Sequence, residues 1–323
     1  MISDASHNIQ LLSVVVPAYN EELGIQNFVE QMKLLKTKLA KTGTITEVIL
    51  VNDGSIDNTE TAGVRAFESA NIQSKVITLL ENVGSHKAIR CGLEHASGQA
   101  IVILSSDGQD PISAIPEMLN KLNEGTEIVW GKRIDRKNDG FVSRSLAVLF
   151  YRFFGWITKT RIPDKGLDFV LFSEKVSVEM RKYTDRNLPF HLTLFNLGFE
   201  TMYVAYDRME RSTGKSKWTL RKKCRLAIDM LTYSSLNFLR LIILCGTLVT
   251  VNIIGFSIVA CFKPQLIEQN TVYRSLLLGN LGLGLLFLFA ALAIIGEYLW
   301  RTLDESRKRP LYSIKRILES KSV

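Results

Sequence analysis

The sequence predicts an α/β fold: a mostly parallel sheet with helices on both faces, followed by a hairpin of two membrane-length helices. Three observations carry this reading. Apolar, β-branched runs end in acidic or amide residues three times, at Val14 to Glu22, Val48 to Ser55 and Ile101 to Pro111. Strand-like and helix-like stretches alternate from residue 12 to residue 131. Charge nearly vanishes over 239–262 and again over 276–300. Runs of the first kind read as buried parallel strands whose carboxyl ends open into loops. Open α/β sheets bind ligands outside those ends, so Glu21, Asp53, Asp107 and Gln109 are expected to share one crevice.

The elements follow in order. A strand at 12–17 precedes a helix at about 21–40, then a strand at 46–52 and a helix at about 57–70. A strand at 75–80 precedes a helix at about 85–96, and a strand at 100–105 a helix at about 112–123. A strand at 127–131 closes the series, and the rhythm implies a parallel sheet covered on both faces. Asp57, in Ser55-Ile56-Asp57-Asn58, is a helix N-cap candidate. A dinucleotide-binding enzyme would carry a G-x-G-x-x-G turn after the first strand. Here that turn begins Pro17-Ala18-Tyr19-Asn20-Glu21, with no glycine before Gly24, which argues against a nicotinamide enzyme.

Further on, 143–160 is amphipathic and rich in Phe, Tyr, Trp and Leu. Its aromatics suit either core packing or a helix in a membrane interface; 219–238 is a second such segment. The apolar runs at 239–262 and 276–300 are each about 24 residues, so about 36 Å as helices, against a bilayer core of about 30 Å. The alternative is a pair of buried helices, but no other large element remains to cover them. The net charge of +8 is localised, with basic clusters at 208–225 and 301–316 flanking the apolar runs. That bias places both chain ends in the cytoplasm and the 263–274 connection outside, and suits anionic lipid. A nucleic-acid partner would leave the apolar runs unexplained, so none is expected. Cys91, Cys224, Cys245 and Cys261 lack metal spacing and read as free thiols of a reducing compartment. His86 is the one histidine near a motif, read as a surface or supporting residue.

At the strand-end motifs the chain resembles the family 2 glycosyltransferases of the GT-A fold. The similarity is to polyprenyl-phosphate hexose synthases, the group of dolichyl-phosphate mannose synthase and bacterial undecaprenyl-phosphate glucosyltransferases. It runs from about Leu11 to Leu239, and the tail architecture fits the bacterial members. The resemblance implies a membrane-anchored enzyme with 1–230 as catalytic domain, 231–302 as transmembrane hairpin and 303–323 as a basic cytoplasmic tail. It implies inverting transfer of a hexose from a UDP- or GDP-linked sugar to a polyprenyl phosphate at the cytoplasmic face of the inner membrane. By analogy it suggests a tetramer.

Site residues carry over by position. Pro17, Tyr19 and Glu21 match the family's P-x-Y-N-E segment, and Val51 and Asp53 its second strand end, where the Asp meets the base. The family's D-A-D-L-Q reads here Ser105-Ser106-Asp107-Gly108-Gln109. Ser106 and Asp107 fall in the nucleotide-sugar site, and Asp107 with Gln109 would hold Mg2+ or Mn2+. Two residues apart in an extended loop, a carboxylate and an amide oxygen point the same way and reach one ion. The family's first Asp is Ser105 in this chain. Arg133, and Arg211 and Lys217 of an R-x-x-G-x-S-K-like segment, are phosphate holders, suited by forked or point-charge donors. Asp168 matches the acidic position of the bacterial members' IP…GDFR segment, with Val170 where the Arg would stand. Asp107, Asp168 and Arg211 form the catalytic set, and Ser143 and Arg144 are further acceptor-phosphate candidates. Two other readings remain: a degenerate scaffold, supported by Ser105 and Val170, and a processive polysaccharide synthase, whose Q-x-x-R-W segment and additional helices are missing here.

Overall fold

The computed structural model describes residues 9–133, 152, 155–156, 169–183, 189–206, 237–263, 265 and 271–320. Two compact units emerge, one built from the N-terminal two-thirds plus 310–323, the other from 152–160 and 223–309.

In the first unit, the predicted alternation appears as β1 (Leu11–Ala18), α1 (Ile25–Ala40), β2 (Ile45–Asn52), α2 (Thr59–Ser69), β3 (Ser74–Leu79), α3 (Ser85–Glu94) and β4 (Ala100–Ile103). A 3-10 turn at Ile112–Ala114 leads into α4 (Ile115–Asn123), then β5 (Ile128–Arg133). Beyond these lie β6 (Val170–Ser173), α5 (Glu174–Lys182), α6 (Phe190–Asn196) and β7 (Thr201–Tyr206). The described strands form one sheet in the order β7-β5-β6-β4-β1-β2-β3-β8, where β8 is Ile314–Ser320. β1 pairs in parallel with β2 and β4, and β2 with β3. β6 runs antiparallel between β4 and β5, and β8 antiparallel against β3. The sheet is therefore mixed but mostly parallel.

Side-chain alternation sorts the core onto both faces. Val14 and Val16 of β1 join α1, α2 and α4 on one face; Val15 joins α3, α5 and α6 on the other. α1 buries Ile25, Phe28, Val29, Met32, Leu35 and Leu39, the 3.6-residue stripe of an amphipathic helix. Each contributes roughly 1.5–3 kcal/mol by leaving water. α3 lies close on the sheet because Gly92 has no side chain. A methyl group there would stand 2.4 Å from Val15 Cγ1 and 3.1 Å from Val51 Cγ2. The reading of 303–323 as a tail is incomplete: its last part is an edge strand of the catalytic sheet.

The second unit is a helical hairpin of α7 (Asn237–Phe262) and α8 (Thr271–Ser306). Both are long and apolar enough to cross a membrane, and the spans are not buried by the rest of the protein. Gly284 lets α8 approach Ile253, and the Tyr273 hydroxyl donates to the Phe256 carbonyl at 2.6 Å. The candidate interfacial helices at 143–160 and 219–238 lie outside the described residues, apart from Arg152, Gly155, Trp156, Asn237 and Phe238.

Candidate active site at the carboxyl ends of the strands

Backbone bonds bring the three motif-bearing strand ends together. Asp53 N donates to Ala18 O at 2.8 Å, and Leu104 N to Val15 O at 3.0 Å. The turn after β1 is locked onto the loop before α2. Asn20, at φ 53, donates its N–H to Ser55 Oγ and accepts from Ile56 N through Oδ1. Glu21 N donates to Thr59 Oγ1 and Glu22 N to Asp57 Oδ2. Asp57 is not the N-cap: its carboxylate accepts from the Thr59 N–H and hydroxyl, while Asn58 takes the cap position. That Asx turn fixes the loop instead of closing the helix.

Glu21 faces the β4 loop. A methyl group at Gly24 would stand 3.2 Å from Glu21 Oε2 and 3.5 Å from the Ser106 carbonyl. The β4 loop is held from α1 by Gln31, whose Nε2 donates to Gly108 O at 3.0 Å. Gly108 sits at φ 68, which favours glycine and turns the chain between Asp107 and Gln109, so the loop is not the extended stretch expected from the sequence. Asp107 and Gln109 flank the glycine, both half-buried. Ser105 Oγ lies 2.6 Å from Asp107 Oδ1 and 2.8 Å from Asp110 Oδ2. Its single proton serves one carboxylate at a time. Ser105 N also donates to Asp110 Oδ2, at 2.6 Å, and Gln109 N to Asp107 Oδ1, at 3.2 Å. Buried Asp110 thus ties the loop into shape. Sequence reasoning missed its role; the signal was an acidic residue before Pro111, at the start of a helical turn.

Asp53 is 3% exposed. Its carboxylate accepts from Val83 N at 2.8 Å and Gly84 N at 3.0 Å, and Asn82 Nδ2 donates to its carbonyl. Burial pushes the Asp53 carboxyl above the ordinary range, against the opposing pull of those two amides and the Lys87 charge. Gly54, at φ 63, presses on the same loop; a methyl group there would lie 2.5 Å from the Glu81 carbonyl carbon. Asp53 therefore organises the 81–84 loop. Val51 is fully buried, under Gly92 and opposite Pro17 in the ladder, so its side chain belongs to the core beneath α3. Tyr19 and Pro17 are half-buried at the strand end, and Ser106 is buried. Arg133 ends β5. Asp168, Ser143, Arg144, Arg211 and Lys217 lie outside the described residues.

The doubly covered, mostly parallel sheet, with acidic and amide groups at the carboxyl ends of β1, β2 and β4, is an α/β architecture of the kind that places ligand-binding groups outside its strand ends. The chain belongs to glycosyl transferase family 2, whose model matches residues 13–177, and it is a glycosyltransferase. It is 35% identical to the uncharacterized glycosyltransferase YkcC of Bacillus subtilis, over 96% of this chain and 95% of that one. It is 34% identical to the bactoprenol glucosyl transferase of Shigella phage SfV, over 94% and 98% respectively. Among solved structures it is similar to glucosyl-3-phosphoglycerate synthase from Mycobacterium tuberculosis, with a TM-score of 0.46 and 17% identity, covering 71% of this chain and 80% of that one.

Proposed function

We propose that this enzyme transfers a hexose from a nucleotide sugar to a polyprenyl phosphate at a membrane surface. The observation that carries the reading is the convergence of Glu21, Asp53, Ser106 and Asp107 at the ends of β1, β2 and β4. Full-length similarity to a bactoprenol glucosyl transferase supports a lipid-phosphate acceptor and glucose as the first sugar to test. Two exposed, membrane-length helices support a membrane location, where a soluble donor meets a lipid acceptor.

Asp107 and Gln109 are the proposed donors to a hard divalent cation, Mg2+ or Mn2+, since both offer the oxygen ligands such ions take. Asp107 supplies a carboxylate and Gln109 an amide oxygen on a loop fixed by Gly108, Gln31 and Asp110. Among the described residues, no three His, Cys, Asp or Glu side chains cluster. Water and donor phosphate oxygens would complete the shell, as is usual for such ions. When bound, the cation offsets charge developing on the departing diphosphate.

The acceptor relaxes the demand on the protein. A hydroxyl must lose its proton as it attacks, which calls for a general base. A phosphate monoester has a second pKa of about 6 and is mostly dianionic near pH 7. Positioning and charge compensation then suffice, the work proposed for Arg133, Arg211 and Lys217, with Asp168 orienting. Attack by the phosphate opposite the leaving diphosphate inverts the anomeric centre.

A thermal-shift scan of nucleotide hexoses with Mg2+ or Mn2+ tests donor binding. One nucleotide sugar is expected to stabilise the full chain, by about 2.7 kcal/mol at a hundredfold excess over Kd. No response to any nucleotide or nucleotide sugar would overturn the reading.

A further inference from the structure

The segment that returns from the apolar hairpin joins the sheet beside β3 and contacts both α2 and α3. β8 pairs with β3 from Ser74↔Ser320 to Leu79↔Ile314, and the ladder is extended by Leu80 N donating to Ser313 O at 2.9 Å. The register shifts between Thr78, opposite Arg316, and Leu79, opposite Ile314. Lys315 is the extra residue of a bulge, a feature that bends a strand and re-aims its side chains. Arg316 is ion-paired with Glu60 in the first turn of α2, and Glu60 also accepts from the Thr78 hydroxyl. Burial alone would raise the Glu60 pKa, but the bonds from Arg316 and Thr78 and the charges of Arg316 and Lys315 bring it below the ordinary value. Four residues before Arg316, the Tyr312 hydroxyl donates to Glu94 at the far end of α3.

These contacts bracket the loop that holds Asp53. Glu81 and Asn82 have exposed side chains, while Val83 packs against the core and Gly54 lies close against the loop backbone. Its start is fixed by the Leu80–Ser313 bond, and it ends at α3, which Tyr312 braces. Between these points, the Val83 and Gly84 amides reach the Asp53 carboxylate. Glu60 braces α2 directly after the Asp57–Thr59 turn that carries Glu21 and Glu22.

We propose that Tyr312 and Arg316 are positioning residues for donor binding: the C-terminal strand sets the 80–84 loop and the start of α2. This rests on the proposed nucleotide-sugar reading of the crevice. Because the strand follows both apolar helices in the chain, the donor crevice is completed only after the hairpin has been synthesised.

The test uses the full chain in detergent with UDP-glucose as probe, or whichever nucleotide hexose the scan identifies, comparing Tyr312→Phe, Arg316→Ala and Arg316→Lys. Tyr312→Phe and Arg316→Ala are expected to raise donor KM about three- to tenfold, the range given by one or two lost hydrogen bonds. Turnover at saturating donor should stay within about twofold of wild type, since the reacting groups are untouched. Arg316→Lys should recover most of the loss, because it keeps the charge facing Glu60. Hydrogen exchange in ligand-free protein provides the second arm: the 83–84 amides should lose protection in the Tyr312→Phe/Arg316→Ala double variant. Unchanged KM and unchanged protection in folded variants would overturn the proposal. So would an equal fall in turnover and affinity that Arg316→Lys fails to rescue. If wild type binds no nucleotide sugar, the donor reading fails, while the exchange arm still decides whether the strand sets the loop.

Discussion

Ser105 shows how one residue alters its surroundings. It stands where the family pattern has an acid, and its hydroxyl bridges Asp107 and Asp110. Ser105→Asp would put a third carboxylate against two others. It should lower the melting temperature in metal-free buffer by several degrees, corresponding to about 1–3 kcal/mol for an uncompensated partly buried group. Added Mn2+ should recover part of the loss; no destabilisation without metal would mean the bridge is unimportant. Asp107→Ala should reduce transfer more than Gln109→Ala over a metal titration, because a charged ligand matters more to a divalent ion than a neutral amide. Equal turnover by Asp107→Ala and wild type would remove Asp107 from the site. Of the two sequence readings of His86, a surface or a supporting residue, its buried ring does not suit the first. Its ring nitrogens are buried without hydrogen-bond partners among the described residues, and its ring meets His191 edge-on. Burial, with the neighbouring His191 and Arg90 charges, lowers its pKa to about 3. The unfolded state therefore takes up a proton near pH 6.5 that the folded state refuses. The stability His86 provides is complete above pH 6.5 and is lost as pH falls towards about 3, by roughly 1.4 kcal/mol per unit. Chemical denaturation between pH 7 and 4.5 should show this slope, and His86→Phe should flatten it; an unchanged slope would assign it to other groups.

Among the elements, what the sequence made legible is what local pattern controls. β1 to β5 and their helices were readable because β-branched runs and amphipathic stripes repeat at fixed periods, and the strand-end acids stood out beside turn formers. β8 was not legible. Ile314-Lys315-Arg316-Ile317 alternates weakly, its outward positions are charged, and its partner β3 is more than two hundred residues away. Charged residues on an edge strand resemble a solvated tail and also guard the edge from pairing with other chains. The Asp53 carboxylate, expected to meet a base, also closes a loop through Val83 and Gly84, a contact that depends on how α3 packs and so is not written in local pattern. Gly92 sets that packing, and Gly92→Leu should displace α3 and lower stability by several kcal/mol, as overpacking does. Equilibrium unfolding would register this, and a loss below about 0.5 kcal/mol would show that α3 has room to move.

Across the whole molecule, the chain leaves the sheet after β7, makes α7 and α8, and rejoins the same sheet as β8. If α7 and α8 each cross a bilayer, an excursion that starts and ends at one sheet crosses it an even number of times, as a single hairpin does. A cysteine introduced into the 263–270 connection should therefore react with an impermeant reagent on intact cells, and reaction only after lysis would contradict the topology. Transfer of a hexose to a lipid phosphate is the activity on which the proposed function rests. The direct measurement is transfer of labelled hexose by the purified full chain, with Mn2+, to undecaprenyl phosphate in mixed micelles. The account predicts label in the lipid fraction as a β-linked, phosphate-bound hexose, none with unphosphorylated undecaprenol, and none with Asp107→Ala. Transfer to the alcohol as readily as to the phosphate, or donor hydrolysis with no lipid product, would contradict it.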